Sequence, residues 1–309
     1  MIKPAAISKG ATIGVVCPSY WLNKKSLLLT TQMLEKEGYK IILGPSTKLK
    51  SGPYAGSPED RVADLHSMFT RTDIDAIICA RGGYGANRLL PLLNFDLIKN
   101  NPKIFMGYSD ITALLISITQ QTGLITFHGP MMESFEDEIS YNLETMEKVL
   151  FGNKHFEITN PKSFQANIVK TGKAQGPLWG GNLTLISNRL ATEDALDSTK
   201  CILFLEDVRE YFYAFDRTLY HFRKSGLFDL INGLIIGDMK DMKDEDVSFA
   251  KSIDEIVLDN CDDLDIPIIT NFACGHGNQK ATLPISLGCQ LNAEAKIPVL
   301  NFNEAAVKK

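Results

Sequence analysis

Ser109 is the side chain whose type and setting best fit nucleophilic chemistry. It lies in KIFMGYSDITALL (103–115), where an apolar run ends in Gly-Tyr-Ser-Asp and an apolar helical pattern follows at once. Ser-Asp before a helix is a common N-terminal cap. A strand-to-helix turn that carries a serine is also how hydrolases display a nucleophile, and Gly107 supplies the small residue that such a turn needs. Ile111 departs from the G-x-S-x-G pattern, so this stretch alone favours the cap and leaves the nucleophile open.

A serine nucleophile needs a general base, and the chain offers two histidines in suitable settings. His276 follows an apolar run in NFACGHGNQKATLP, and the glycines on both sides leave it free to project into a cleft. His128, in TFHGP, ends another apolar run and is either a rim residue or a buried structural one. We expect the remaining histidines to lie on helix surfaces or in a polar stretch: His66, His155 and His221.

The base in turn needs a carboxylate that orients it. FLEDVRE (204–210) places Glu206 at the end of an apolar run, which is unusual for an acid unless it is paired or exposed. Asp207 is its competitor, and one of the two is expected to cap a helix or form a local ion pair.

Two backbone amides are candidates for an oxyanion hole. The amide of Asp110 would lie at the start of a helix, where developing negative charge is stabilised. The second donor is expected at Gly83 in ARGGYGANR (80–88), a glycine-rich loop after an apolar run. This loop matches neither G-x-x-x-x-G-K-[ST] nor G-x-G-x-x-G, so a nucleotide site is weakly supported and a plain tight turn remains an alternative.

Substrate contacts are expected from side chains near these glycine turns. Arg88 and Arg81 are candidates for a substrate carboxylate, because a guanidinium binds it with two hydrogen bonds; Arg88 is equally suited to holding its own loop. Tyr84 and Trp179, the latter in WGGN (179–182), are candidates for packing on substrate, and Trp179 would alternatively belong to the core.

Composition excludes several classes of protein. The 309 residues carry 32 basic and 37 acidic side chains, a net charge of −5, without the basic stripe that nucleic-acid binding requires. No apolar run approaches a membrane span, and the first residues do not resemble a signal peptide. The six scattered cysteines predict reduced thiols in a cytoplasmic protein, and no motif indicates a metal site or a cofactor.

Apolar runs alternate with amphipathic stretches through the first half, which predicts a parallel sheet covered by helices. Ligands bind such sheets at the carboxyl ends of the strands, where this chain has CPS, ARGGYG, GYSD and HGP. We expect a first domain at 1–155, a linker at 156–175 and a second domain at 176–309.

The motifs together resemble the LD-carboxypeptidases of the serine peptidase type, a family that includes the microcin-immunity peptidases. The resemblance rests on GGYGANRLLPLLNFD, NPKIFMGYSDITALL, WGGNLTLI, LFLEDVREYFYAFDRTL and NFACGHGNQKATLP, in that order, and runs from about Gly14 to Val299. It implies an α/β fold with a Rossmann-like parallel-sheet N-terminal domain and a smaller, β-rich C-terminal domain of the swivelling β/β/α type. It also implies a Ser-Glu-His triad, which falls on Ser109, Glu206 and His276, an active site between the domains, and a homodimer.

The resemblance further implies the substrate class. The family's archetypal reaction removes the terminal D-alanine from murein tetrapeptide during peptidoglycan recycling, and the apparent lack of an export signal fits its cytoplasmic form. Microcin-immunity members instead cut a peptide-nucleotide amide. Here EDVREYFYAFD departs from the G-E-x-P-Y pattern of many carboxypeptidases at Arg209 and Phe212, which leaves side-chain specificity open. A muropeptide-binding protein without activity is the third alternative.

Overall fold

The computed structural model describes residues 1–136 and 139–309. Its strands are β1 (Thr12–Val16), β2 (Lys40–Leu43), β3 (Ala76–Cys79), β4 (Ile104–Gly107), β5 (Phe127–His128), β6 (Phe156–Ile158), β7 (Asn167–Lys170), β8 (Lys173–Asn182), β9 (Ile202–Val208), β10 (Gly233–Lys240), β11 (Ile268–Gly275), β12 (Leu283–Pro284), β13 (Gly288–Asn292) and β14 (Val299–Phe302).

The helices alternate with these strands. The α-helices are α1 (Lys24–Lys36), α2 (Pro58–Thr70), α3 (Phe95–Asn100), α4 (Thr112–Thr122), α5 (Ile139–Leu150), α6 (Leu183–Ser187), α7 (Phe212–Lys224) and α8 (Ile253–Cys261). Short 3₁₀ helices span Pro45–Lys48, Ala86–Leu92, Ser109–Ile111, Met132–Glu136 and Phe228–Leu230. Within the described ranges, no helix is long and apolar enough to cross a membrane.

The first of two compact units contains a six-stranded sheet in the order β12-β5-β4-β3-β1-β2. Its strands are parallel except for β12, which pairs antiparallel with β5. Strands β3 and β4 are buried along their whole length, as the continuous apolar runs predicted. Helices α1, α2 and α4 pack against the strands. The parallel arrangement brings the ends of β1, β3 and β4 to one edge.

Local sequence signals define the helices of this unit. Helix α2 begins with a capping box between Ser57 and Asp60 and has Pro58 at its first position. Helix α4 ends at Gly123, whose φ of 75° provides a left-handed cap. Both helix boundaries are therefore set by a few consecutive residues.

The second unit contains an eight-stranded sheet in the order β6-β14-β13-β8-β9-β10-β11-β7. Strands β8 to β11 are parallel neighbours in its centre, and antiparallel strands flank them. Helices α7 and α8 pack on each other. The prediction of an α/β fold with a parallel N-terminal sheet and a separate C-terminal sheet is therefore confirmed.

Each unit is built from more than one stretch of the chain. The first comprises Met1–Lys154, Lys280–Ser286 and Ala305–Lys309, and the second comprises His155–Gln279 and Leu287–Glu304. Residues 156–175, expected to be a linker, contain β6, β7 and the start of β8 and belong to the second unit. Residues 280–286, expected in the C-terminal domain, supply β12 to the first sheet.

Candidate active site

Ser109 stands at the strained turn between β4 and α4. Its φ is 62°, in the left-handed region that a residue with a side chain rarely adopts. Gly107, two residues earlier, has its Cα against Ile111: a Cβ there would lie 2.9 Å from the Ile111 side chain. Ile111 therefore fills the space that Gly107 leaves, so its departure from G-x-S-x-G is compatible with the strained turn. The geometry is that of a displayed nucleophile, whereas a helix cap requires no left-handed serine.

The glycine-rich loop after β3 lies directly against this serine. A Cβ added to Gly82 would be 2.9 Å from the Ser109 Cβ and 3.0 Å from its Oγ. The same Cβ would be 3.6 Å from the backbone nitrogen of Asp110. Gly83, which the sequence nominated, instead faces the ring of Tyr20. Gly82 is thus a residue of this loop that packs directly on the nucleophile candidate.

The side chain of Asp110 links the strand ends of the first unit. It is 2 % exposed, and its Oδ2 accepts hydrogen bonds from Ser19 Oγ at 2.5 Å and from the Ala86 amide at 2.8 Å. Burial raises the pKa of this carboxyl, while the bonds from Ser19, Ala86 and Gly85 and the charge of Arg61 act in the opposite direction. Sequence analysis considered only the amide of Asp110 and missed this carboxylate.

His276 and Glu206 form a hydrogen-bonded pair in the second unit. Nδ1 of His276 lies 2.7 Å from Oε2 of Glu206; the glutamate is fully buried and the histidine side chain is 16 % exposed. Burial raises the pKa of Glu206, and His276 is the main influence that lowers it. The hydrogen bond to Glu206 is at Nδ1, so the imidazole is held through one nitrogen, and Nε2 is the nitrogen that a general base would use for proton transfer. This is the arrangement of a general base held by an orienting acid.

The glycines beside His276 allow close backbone contacts that the sequence did not indicate. Gly275 has a φ of 118°, and a Cβ on it would lie 2.8 Å from the Cβ and 2.9 Å from the Oε2 of Glu206. A Cβ on Gly277 would collide with the carboxylate of Asp238. The glycines therefore allow the loop to approach two acids closely, and do not merely leave the histidine free.

Asp207 and His128, the alternatives for the orienting acid and the general base, have other surroundings. Asp207 accepts hydrogen bonds from the amide and hydroxyl of Thr184 at 3.0 and 2.9 Å and from the Asn182 side chain at 2.9 Å, so it stabilises the start of α6. His128 lies in β5 beside Gly107, is 1 % exposed, and packs against the Tyr108 ring.

The expected substrate-binding side chains lie in different settings. Tyr84 is 49 % exposed and Arg88 is exposed on the 3₁₀ helix that follows the glycine loop. Arg81 pairs with Glu133 at 3.6 Å. Trp179 is buried in β8 opposite Leu203, which is a core position.

The cysteines of the chain are buried, and the described residues contain no grouped metal ligands. All six cysteines are buried and unpaired, and burial raises the pKa of Cys17, at the end of β1, to about 12. In the part of the chain that the structure describes, no three acidic, histidine or cysteine side chains are grouped as a metal site.

Comparison with known protein families gives a match in each half of the chain. Residues 13–129 match the LD-carboxypeptidase N-terminal domain, and residues 175–291 match the LD-carboxypeptidase C-terminal domain. The chain belongs to the LD-carboxypeptidase family. It is a serine carboxypeptidase at this level of description, as the resemblance of its motifs predicted.

Similar proteins support this assignment along the whole chain. A probable murein peptide carboxypeptidase of Bacillus subtilis is 34% identical over 99% of this chain and 97% of its own length. A murein tetrapeptide carboxypeptidase of Pseudomonas aeruginosa is 28% identical, over 88% and 90%. The solved structure of MccF in complex with glutamyl sulfamoyl guanosine has a TM-score of 0.92 at 25% identity, with complete coverage of both chains.

Proposed function

We propose that this LD-carboxypeptidase removes the terminal D-alanine from murein tetrapeptide in the cytoplasm, as a step of peptidoglycan recycling, and that Ser109, Glu206 and His276 are its catalytic triad. The observation that carries the proposal is the buried Glu206–His276 pair, with 2.7 Å between Oε2 and Nδ1. The left-handed Ser109 supports it, since a strained serine turn displays a nucleophile. Two relatives with murein peptides in their names support the substrate class.

The proposed reaction follows from the roles of these groups. Ser109 Oγ attacks the carbonyl carbon of the amide that joins the L-centre to D-alanine, and His276 Nε2 takes the hydroxyl proton. Glu206 holds the imidazole and stabilises its positive charge. His276 then gives the proton to the nitrogen of D-alanine, which leaves. Water, activated by the same imidazole, releases the shortened peptide from Ser109.

The negative oxygen of the tetrahedral intermediate needs hydrogen-bond donors. We assign this role to the amide of Asp110 and to an amide of the Gly82–Gly83 segment, which packs against Ser109. Both amides belong to the unit that carries the nucleophile. Arg88 and Tyr84 remain proposed contacts for the rest of the peptide; the buried position of Trp179 favours a role in packing.

The test is D-alanine release from purified murein tetrapeptide, followed by mass spectrometry, with Ser109→Ala alongside. We expect release by the wild type and a loss of kcat of about 10⁴-fold or more in the variant, because triad members act as a unit. Hydrolysis by Ser109→Ala within a few-fold of the wild type would contradict the nucleophile assignment. Size-exclusion chromatography with light scattering tests the proposed homodimer on the same sample.

A second candidate is hydrolysis of a peptide-nucleotide amide. The structural match to MccF bound to glutamyl sulfamoyl guanosine favours it. A parallel assay with peptide-nucleotide conjugates separates the two: cleavage of these and not of the tetrapeptide would replace the substrate and retain the triad. Tetrapeptide binding by calorimetry without hydrolysis of either class would indicate a muropeptide-binding protein.

A further inference from the structure

Three neighbouring strand ends of the first unit are tied together by one buried carboxylate. Asp110 follows Ser109 at the end of β4, its partner Ser19 follows β1, and its partner Ala86 follows β3. Strand β3 pairs with both β1 and β4, so these strand ends are adjacent. One oxygen of the Asp110 carboxylate therefore binds the segments that follow β1 and β3.

A buried arginine from α2 binds the same two segments. Arg61 is 2 % exposed, and its Nη1 donates to the carbonyl of Pro18 at 2.6 Å and to the carbonyl of Gly85 at 3.4 Å. Burial lowers the pKa of Arg61, and attraction to Asp110 is the main influence that raises it. Asp110 and Arg61 are thus a buried acid and a buried base that bind the same two loops. The carboxylate accepts hydrogen bonds from them, and the guanidinium donates hydrogen bonds to them.

The loop gripped at Gly85 and Ala86 is the one that contacts the nucleophile. Gly82 packs on Ser109, and Gly83 packs on Tyr20, the neighbour of Ser19. Between these contacts and the anchored Ala86 amide, the loop has little room to move. The position of the Gly82–Gly83 amides relative to Ser109 therefore depends on the anchor.

We propose that the Asp110 side chain is a positioning residue that, with Ser19 and Arg61, fixes the oxyanion-binding amides of the glycine loop against Ser109. The proposal rests on the proposed function in so far as Ser109 is the nucleophile, and it is independent of which amide is cut. Asp110 acts through the backbone and does not touch the substrate with its carboxylate. Its loss should slow bond formation and leave substrate affinity unchanged.

Asp64 provides a matched control. Like Asp110 it is a buried acid of the first unit whose Oδ2 accepts from a serine hydroxyl and a backbone amide, both from Ser46. Burial raises the pKa of both carboxyls. The hydrogen bonds that Asp64 accepts from Ser46 go to the segment after β2 and not to the glycine loop. Asp64→Asn therefore reports what the loss of a buried carboxylate does to the fold alone.

The experiment measures the rate constant for labelling of Ser109 by a fluorophosphonate, together with kcat, KM and the melting temperature. We expect Asp110→Asn to lower labelling and kcat by about 10- to 100-fold with KM within about twofold, since small misplacements of reacting groups carry penalties of this size. Asp64→Asn should label within about twofold of the wild type at a comparable loss of melting temperature. Ser19→Ala should show a smaller loss of labelling in the same direction.

Three results would overturn the proposal: wild-type labelling by Asp110→Asn, equal losses in Asp110→Asn and Asp64→Asn, or a loss confined to KM. If Asp110→Asn does not fold, Ser19→Ala and Arg61→Lys decide, and wild-type labelling by both overturns it. The labelling assay needs no natural substrate, so an inactive wild type on murein tetrapeptide leaves this test intact. Wild-type protein that is not labelled at Ser109 indicates that the proposed function itself is wrong.

Discussion

The two units hold the proposed catalytic side chains by different physical means. In the first unit, backbone geometry fixes the serine: Ser109 has a left-handed φ, Gly82 packs on it, and the buried carboxylate of Asp110 anchors the glycine loop. In the second unit, the histidine is paired with a buried acid: Glu206 is fully buried, and its hydrogen bond to His276 opposes the rise in its pKa. The first unit therefore fixes the position of a hydroxyl, and the second unit places an acid beside an imidazole.

This difference predicts two kinds of sensitivity. Changes in the first unit should act through the space and angles around Ser109, so an added methyl group should matter as much as a lost charge. Changes in the second unit should act through the charge beside the imidazole, so substitutions that preserve shape should still be damaging.

The largest effect is expected for Glu206→Gln. The amide keeps the volume of the side chain but cannot stabilise a positively charged imidazole, and kcat should fall by about 10³- to 10⁴-fold with little change in KM. Asp207→Asn is the matched control on the next residue. It should retain kcat within a few-fold and lose about 1 kcal/mol of stability, because Asp207 serves the start of α6. A larger loss of kcat in Asp207→Asn would reverse the two assignments.

Gly82→Ala is expected to have the next largest effect. Its Cβ would lie 2.9 Å from that of Ser109, so the loop or the serine must shift, and kcat should fall by about 10²- to 10³-fold, the size seen when one oxyanion donor is lost. In Gly288→Ala the added Cβ meets no atom within 4 Å, and wild-type kcat is expected. Steady-state kinetics of both proteins test this. Normal activity in Gly82→Ala would mean that the loop is not held against the nucleophile.

The smallest effect is a difference in stability between two inactive variants. Glycine tolerates a φ of 62° at Ser109, whereas alanine keeps the cost of a left-handed residue. Ser109→Gly should therefore be more stable than Ser109→Ala by about 1 kcal/mol in urea denaturation. Equal stabilities, or a more stable alanine variant, would show that this turn carries no strain.

The features of the fold that can be predicted from the sequence are those with a local signal. The buried runs at β3 and β4, the Ser57 cap and the end of α4 at Gly123 each follow from a few consecutive residues. The edge strands β6 and β7 were missed because each is only three or four residues long within a polar stretch, and their pairing comes from partners far along the chain. Residue types and their settings nominated Ser109, Glu206 and His276 with two rivals left open, and the resemblance to a family then selected these three.

Contacts between distant residues could not be predicted. Asp110 and Ser19 are separated by 91 positions, and neither residue type is unusual at a strand end. Arg61 lies in an amphipathic helix, where an arginine is normally exposed, and only the fold shows that it is buried. The same holds for β12, whose residues follow the histidine loop in sequence but pair with β5 of the first sheet.

The central claim is that the serine of the first unit is activated by the histidine of the second. The most direct test is the rate of fluorophosphonate labelling, with the adduct mapped by peptide mass spectrometry, in the wild type, His276→Ala and His128→Asn. We predict an adduct on Ser109, a rate lowered by about 10³-fold or more in His276→Ala, and a rate within a few-fold of the wild type in His128→Asn. An adduct on another residue, or a loss of labelling in His128→Asn with a normal rate in His276→Ala, would contradict the account.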